Sequence, residues 1–306
     1  MADILTRGNL FPEALIPNLV NLVKGHSAVA ALANQTPIAF NGQKEFTFTL
    51  DKDVDIVAEN GAKGKGGATV NPVTIVPIKF EYGARVSDEF VYGGDELRLN
   101  YLQAFSDGFA RKLARGLDIA AFHGLNPRTL TASAVVGTNH FDAVNGTTPV
   151  VTTITYTSGT DDAAEKLDAA AAAIRANDGE ISGIAMAPAY AADMAKVKEN
   201  GVTQYPEFRF GARPTAFAGM ALDVNTTVPV VASGAKADQV ILGNFAGAFR
   251  WGYAKEIPLE VIQYGNPDND ATLGDLKGHN QVYLRCEAYL GWGILNPDEF
   301  AIIRLA

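Results

Sequence analysis

Residues 44–87 read KEFTFTLDKDVDIVAENGAKGKGGATVNPVTIVPIKFEYGARVS, and the architecture of the chain turns on this stretch. Phe46, Phe48 and Leu50 alternate with Glu45, Thr47 and Thr49, the two-residue period of a half-buried strand. Ile78, Phe80, Tyr82, Ala84 and Val86 alternate in the same way against Lys79, Glu81, Arg85 and Ser87. The two runs are expected to pair as a long hairpin. Between them, residues 51–70 are crowded with charge and hold Gly61, Gly64, Gly66 and Gly67, with almost nothing able to fill a core. Such a segment cannot offset its ordering entropy by burial in its own chain. A structureless excursion of this length inside a compact domain is uncommon unless it serves a function. It is expected to be an arm that becomes ordered against a neighbouring molecule, with a plain surface loop as the alternative.

On the N-terminal side, residues 10–33 carry scattered apolar positions around Pro12 and Pro17, which predicts a short arm with one broken helix. On the C-terminal side, Leu102, Phe105, Phe109, Leu113 and Leu117 step by three and four, predicting a helix over 95–124. Gln103, Asp107, Arg111, Lys112, Arg115 and Asp118 are placed on its polar face. Gly108 and Gly116 lie inside it, each costing about 1 kcal/mol against alanine unless a close neighbour uses the space. Residues 128–160, rich in Thr, Val and Gly, read as strand and loop. Thr160 is expected to cap a helix with Asp161 and Asp162 in its first turn. Strands are expected at 181–186 and 221–224, with a helix from Pro188 to about Lys198 between them, so residues 161–235 suggest a small α/β layer. Strands return at 240–242, at 257–264 and, most strongly, at 281–294. There Val282, Leu284, Cys286, Ala288, Leu290, Trp292 and Ile294 share one face, and Tyr283, Arg285, Glu287 and Tyr289 the other. Arg285 and Glu287 are therefore placed to pair across a sheet or an interface.

Composition excludes several functions. The 25 basic against 34 acidic residues leave a net charge of −9, which argues against a dominant nucleic-acid-binding face. A single cysteine, Cys286, rules out an intramolecular disulfide and a cysteine-based zinc site, and its apolar face marks it as a small buried thiol. The N-terminus shows no secretion signal, and no apolar run is long enough to span a membrane.

No catalytic pattern stands out. His26, His123, His140 and His279 lack metal-type spacing, and neither Gly-x-Ser-x-Gly nor His-Glu-x-x-His occurs. Asp51, Asp53 and Asp55 would share one face of a strand, yet an EF-hand reading fails because its sixth position is Ile56 and its twelfth Ala62. A solvated acidic edge is favoured over a cation site. The stretch GAKGKGG at 61–67 lacks the Gly-Lys-Ser/Thr of a phosphate loop, and Lys63 and Lys65 suit an arm that finds carboxylates on another subunit. No cofactor, metal or catalytic residue is expected.

The order of these parts resembles the major capsid protein family of tailed phages. AENGAKGKGGATVNPVTIVPIKFEYGARVSDEF is similar to that family's extended loop, returning strand and lead-in to its long spine helix, and DIAAFHGLNP to the helix end. VILGNFAGAFRWGYAKEIPLEV and HNQVYLRCEAYLGWGILNPDEFAII resemble its closing segments. The resemblance implies the α+β fold of tailed-phage capsids: an N-terminal arm at 1–40, an extended hairpin loop at 41–87, a peripheral domain at 88–150 containing the spine helix, an axial domain at 151–235, and a return to the peripheral domain at 236–306. It implies a subunit that assembles with itself into pentamers and hexamers around DNA without reading its sequence. Expected inter-subunit contacts are Asp51, Asp53, Asp55, Glu59, Lys63, Lys65, Arg85, Arg285 and Glu287. In some capsids of this type lysines such as Lys63 and Lys65 form isopeptide links to an asparagine, which nothing here identifies. Many members of the family carry a built-in scaffold segment in front, whereas this chain starts almost directly at the shell fold. Either a separate scaffold protein is used or the chain is a processed form. Met1 in place favours a separate scaffold, with a portal and decoration proteins as further partners. The alternatives are an encapsulin-type nanocompartment shell and, from another class, a hydrolase or nucleotide-binding enzyme.

Overall fold

The computed structural model describes residues 26–89, 95–146 and 151–306. Most of the broken helix expected over 10–33 therefore lies outside the described residues; its end is the short helix α1, Ala28–Leu32. Strand β1, Gln43–Leu50, pairs antiparallel with β2, Ala68–Ile75, from Gln43 opposite Ile75 to Leu50 opposite Ala68. The expected pairing of 44–50 with 78–87 is thus corrected. The β-branched residues of ATVNPVTI make the second strand, and Pro72 is tolerated because a two-stranded ribbon has free edges. Pro77 then breaks the chain away from the ribbon, and β3, Ile78–Ser87, joins another sheet.

That sheet is three-stranded, in the order β11 (Phe249–Ile262), β12 (Gln281–Ile294), β3, all antiparallel. Residues 35–38 lie along β11, where Thr36 N donates to Trp251 O and Ile38 N to Tyr253 O. Gly252 makes this approach possible, since a Cβ there would stand 1.7 Å from the Thr36 carbonyl oxygen. Helix α2, Asp95–His123, packs on this sheet; its 29 residues give a rod of about 44 Å at 1.5 Å each. Leu102, Phe109, Leu113 and Leu117 are buried along it as the periodicity requires. Gly116 admits the Phe80 ring and Pro127 at 3.4–3.5 Å from where a Cβ would sit, while nothing in the structure accounts for Gly108.

A second, mixed sheet runs in the order β4 (Thr152–Tyr156), β13 (Phe300–Leu305), β10 (Asp238–Gly243), β5 (Gly183–Met186), β9 (Met220–Val224), β8 (Ala216–Phe217). It draws strands from both 151–235 and 236–306, so the sheet itself ties those two segments together. Helices α4 (Ala163–Arg175) and α5 (Pro188–Met194) pack on it. The cap of α4 is Asp162, not Thr160: its Oδ1 accepts from Ala164 N at 2.8 Å and Glu165 N at 3.3 Å. Thr160 and Asp161 are used up in the preceding turn, where Asp161 accepts from Thr157 N. Helix α5 ends at Met194, short of Lys198, because Lys198–Glu199 and Val202–Thr203 (β6 and β7) form a ribbon around Asn200 and Gly201, with φ of +51° and +83°. An Asn-Gly pair with both φ positive is the turn such ribbons favour.

The two sheets meet at the end of α2. Phe141, on the short helix α3 (Phe141–Gly146), has ring centroids 5.0 Å from Phe300, 5.7 Å from Phe249 and 6.0 Å from Phe122. Asp118, expected on the polar face of α2, is fully buried. Its carboxylate accepts from Ser27 Oγ (2.5 Å), Ala28 N (2.9 Å), Val29 N (3.1 Å) and Thr227 Oγ1 (2.8 Å). Burial pushes this carboxyl up to about 6, against the pull of its four donors.

Replacing Asp118 by alanine strands four buried donors, at 1–3 kcal/mol for each one left without water. Asp118→Ala is expected to destabilise the subunit by about 3 kcal/mol or more, read from the midpoint of denaturant unfolding, and a loss below about 1 kcal/mol would contradict the role assigned to it.

Candidate assembly surface

The ribbon β1–β2 leaves the body of the protein with one face unburied. Directly opposed residues share a face, so Phe46 with Pro72, Phe48 with Val70 and Leu50 with Ala68 line a single apolar side. Phe46, Phe48 and Leu50 are 64–65% exposed and Val70 50%. Contiguous apolar exposure of this kind marks a contact surface. Beyond Leu50 the two arms stay together: Asp51 N donates to Gly67 O, Gly67 N to Asp51 Oδ1, and Lys52 Nζ to Lys65 O. A turn at Ala58–Gly61 closes the tip. The expected structureless arm is therefore shorter than read, since residues 68–70 belong to β2, while 51–67 form no strand and are held together by these bonds. The paired strands alone, eight residues each, span about 26 Å at roughly 3.3 Å per residue.

Asp51, Asp53, Asp55, Glu59, Lys63 and Lys65 all lie exposed on this projection. The alternating carboxylates do not share a strand face, because the strand ends at Leu50, and the Asp51 carboxylate is committed to a backbone amide. Arg85, Arg285 and Glu287 lie elsewhere, on the three-stranded sheet. Arg85 donates through Nε and Nη2 to both oxygens of Asp268, and also to Asn266 Oδ1, Gln281 Oε1 and Gly274 O, fastening the β11–β12 loop to β3. Its guanidinium pulls the Asp268 carboxyl down to about 2. Arg285 pairs with Glu260 across the sheet at 2.8 Å, and Lys79 bridges the opposed Glu81 and Glu287 at 3.5 and 2.5 Å. These three residues have partners within their own chain.

A groove of about 540 Å³ lies between α2 and β3, lined by Phe80, Tyr82, Phe109 and Leu113 and rimmed by the exposed Lys112, Arg115 and Arg128. Its rim is basic where the tip of the ribbon is acidic.

The structure also assembles a polar cluster that sequence spacing could not reveal. His123 at the end of α2 donates or accepts through Nδ1 with Asp142 Oδ2 at 3.0 Å, and Asp238 Oδ2 is 3.8 Å away. Arg304 reaches Asp238 Oδ1 through Nε at 2.6 Å and Asp142 Oδ1 through Nη2 at 2.5 Å. The arrangement of one imidazole and two carboxylates would suit a cation, but the guanidinium already fills that place. Burial pushes the Asp238 carboxyl up to about 7. Burial also opposes charge on His123, yet the Asp142 carboxylate holds its pKa above the usual value, and His123 in turn helps hold Asp142 low. Cys286 is buried and its thiol is pushed up to about 12, as suits the inert role expected of it.

A projecting apolar ribbon, an oppositely charged groove and an interior closed by packing together describe a coat-forming subunit. The chain matches the phage capsid family over residues 7–305, and it belongs to that family. It is a major capsid protein, a structural unit of an icosahedral phage shell found in the virion, and not an enzyme. Among solved structures it is similar to one from Mycobacterium phage Ogopogo, at 30% identity and TM-score 0.77, covering 92% of each chain. A structure from Gordonia phage Cozz matches at 24% identity and TM-score 0.74 over 92% of this chain and 87% of that one. The capsid of a native GTA particle shares the fold at 14% identity and TM-score 0.61 over 91% and 90%. No curated protein matches the chain. Among the described residues no helix is long and apolar enough to cross a membrane.

Asp238 and His123 keep protons in the folded chain at pH values where the unfolded chain releases them. Their contribution is present at the lower pH and is lost as pH rises, between about 4 and 7 for Asp238 and above 6.5 for His123. Asp142, held low, loses its contribution only in strong acid. The melting temperature of the isolated subunit is expected to fall by several degrees between pH 5 and pH 8, and Asp238→Asn is expected to flatten part of that slope; an unchanged slope in the variant would refute the assignment.

Proposed function

We propose that the β1–β2 ribbon is the reach of one subunit onto the next. The observation that carries this is the uncovered side of Phe46, Phe48, Leu50 and Val70, ending in a tip whose four carboxylates, Asp51, Asp53, Asp55 and Glu59, outnumber its three lysines, Lys52, Lys63 and Lys65, by one. The basic rim of Lys112, Arg115 and Arg128 on an adjacent copy is the surface whose charge and apolar floor fit it. Binding there buries apolar area that the isolated chain leaves in water, at roughly 25 cal/mol per Å².

The subunits form pentamers and hexamers that close the shell. Residues 1–40 act as an N-terminal arm, 41–87 carry the extended hairpin, 88–150 and 236–306 form the peripheral side, and 151–235 form the axial domain completed by β10 and β13. The shell assembles in the bacterial cytoplasm on a separate scaffold protein, receives a portal and decoration proteins, and encloses DNA without sequence-specific contacts. The net charge of −9 supports a wall that does not adhere to the genome. Asp51, Asp53, Asp55, Glu59, Lys63 and Lys65 make the inter-subunit contacts of this reading, while Arg85, Arg285 and Glu287 shape the sheet from which the ribbon departs.

Replacing residues 52–66 by a two-residue turn keeps the strand register and removes the tip. The shortened protein is expected to fold with an unchanged melting temperature and to give no stable shells by electron microscopy; normal shells would show that the tip plays no part in assembly.

A further inference from the structure

Phe210 is 99% exposed and holds φ +58° and ψ +25°, in the left-handed region that a bulky side chain seldom occupies. It sits at the end of a 3-10 segment, Pro206–Gly211, beside α5, and the Arg209 guanidinium lies 5.4 Å from its ring centroid. Arg213 follows, also exposed. Phe208, two residues earlier, is buried and fixes the base of this segment. The result is an aromatic knob flanked by two arginines, with no salt bridge to either among the described residues. Strained backbone of this kind persists where the surroundings enforce it, and it gathers at contact and functional sites.

The same region carries a groove of about 600 Å³ between α4, α5 and β8. Leu167, Met194, Tyr205 and Phe217 form its apolar walls, and Asp168 and Glu207 are exposed at its edge. No salt bridge engages either carboxylate among the described residues. Phe210 does not fill this groove in its own chain: it borders a different hollow, shared with Pro188, Ala192 and Arg213, and stays exposed.

We propose that Phe210 of one subunit, with Arg209 and Arg213 beside it, inserts into the groove edged by Asp168 and Glu207 on the next subunit of a ring. The occupant is a second copy of this chain because its knob and groove are complementary in charge and both apolar at the centre. Two unlike patches on one subunit make a head-to-tail contact, the kind that closes into rings. The contact rests on the shell reading above but uses a surface separate from the β1–β2 ribbon, so it joins subunits within a ring independently of the ribbon. Aromatic and arginine side chains at the centre of such a patch are the usual energetic anchors of an interface.

Charge reversal tests it. Arg209→Glu with Arg213→Glu makes the knob acidic, and Asp168→Lys with Glu207→Lys makes the groove basic. Each double variant alone is expected to keep the wild-type melting temperature and to form no rings by native mass spectrometry where the wild type does. The chain carrying all four changes is expected to recover rings. An equimolar mixture of the two double variants is expected to recover rings with an even number of subunits only, since unlike copies must alternate, so hexamers return and pentamers do not. Phe210→Ser is expected to raise the concentration needed for ring formation at least tenfold. Double variants that assemble as the wild type does, or a folded fourfold variant and mixture that both stay monomeric, would overturn the proposal. Wild-type protein that forms no rings or shells in any condition would instead overturn the shell reading beneath it.

Discussion

A single buried carboxylate holds three distant parts of the chain in one place. Asp118 sits on α2, where it accepts from Ser27, from the first amides of α1, and from Thr227 in the passage between β9 and β10. A charge so placed is tolerable only while its donors surround it. The start of the described chain, the long helix and the mixed sheet are therefore fixed together by one side chain. Both sheets take their positions from that junction, since α2 packs on the three-stranded sheet while Thr227 and α1 belong with the six-stranded one.

The junction is extended by two further layers of different chemistry. The Phe122, Phe141, Phe245, Phe249 and Phe300 rings fill the space between the sheets with edge-on and stacked contacts. Beside them, His123, Asp142, Asp238 and Arg304 form an ionic cluster drawn from α2, α3, β10 and β13. Aromatic packing stabilises the junction through buried area, whereas the ionic cluster, costly to desolvate, fixes which elements lie side by side. The body is thus rigid enough to carry projections whose own contacts contribute little to the fold.

Those projections are where the chain departs from ordinary globular economy. The ribbon holds Phe46, Phe48 and Leu50 in water, and Phe210 stands fully exposed on strained backbone. A monomer gains nothing from either. In a shell subunit both make sense under the contacts proposed above, in which another copy completes each uncovered surface and the two surfaces act independently.

The sequence by itself determined the elements whose period is local. The alternation of residues 281–294 and the three-four stepping of Leu102, Phe105, Phe109, Leu113 and Leu117 match β12 and α2 closely, and the charged glycine-rich tip announced a segment with no core of its own. Tertiary structure alone decided which strands pair. Alternation in 44–50 and 78–87 says that both are strands but not that β2 intervenes to take the first and β12 the second, since register depends on partners far along the chain. Periodicity likewise put Asp118 on a polar face without showing that this one residue of the face is buried against α1. The cluster of His123, Asp142, Asp238 and Arg304 left no spacing to read, because its members come from four elements. Hydrophobic period is a property of neighbours in sequence; pairing, buried charge and uncovered surface are properties of neighbours in space.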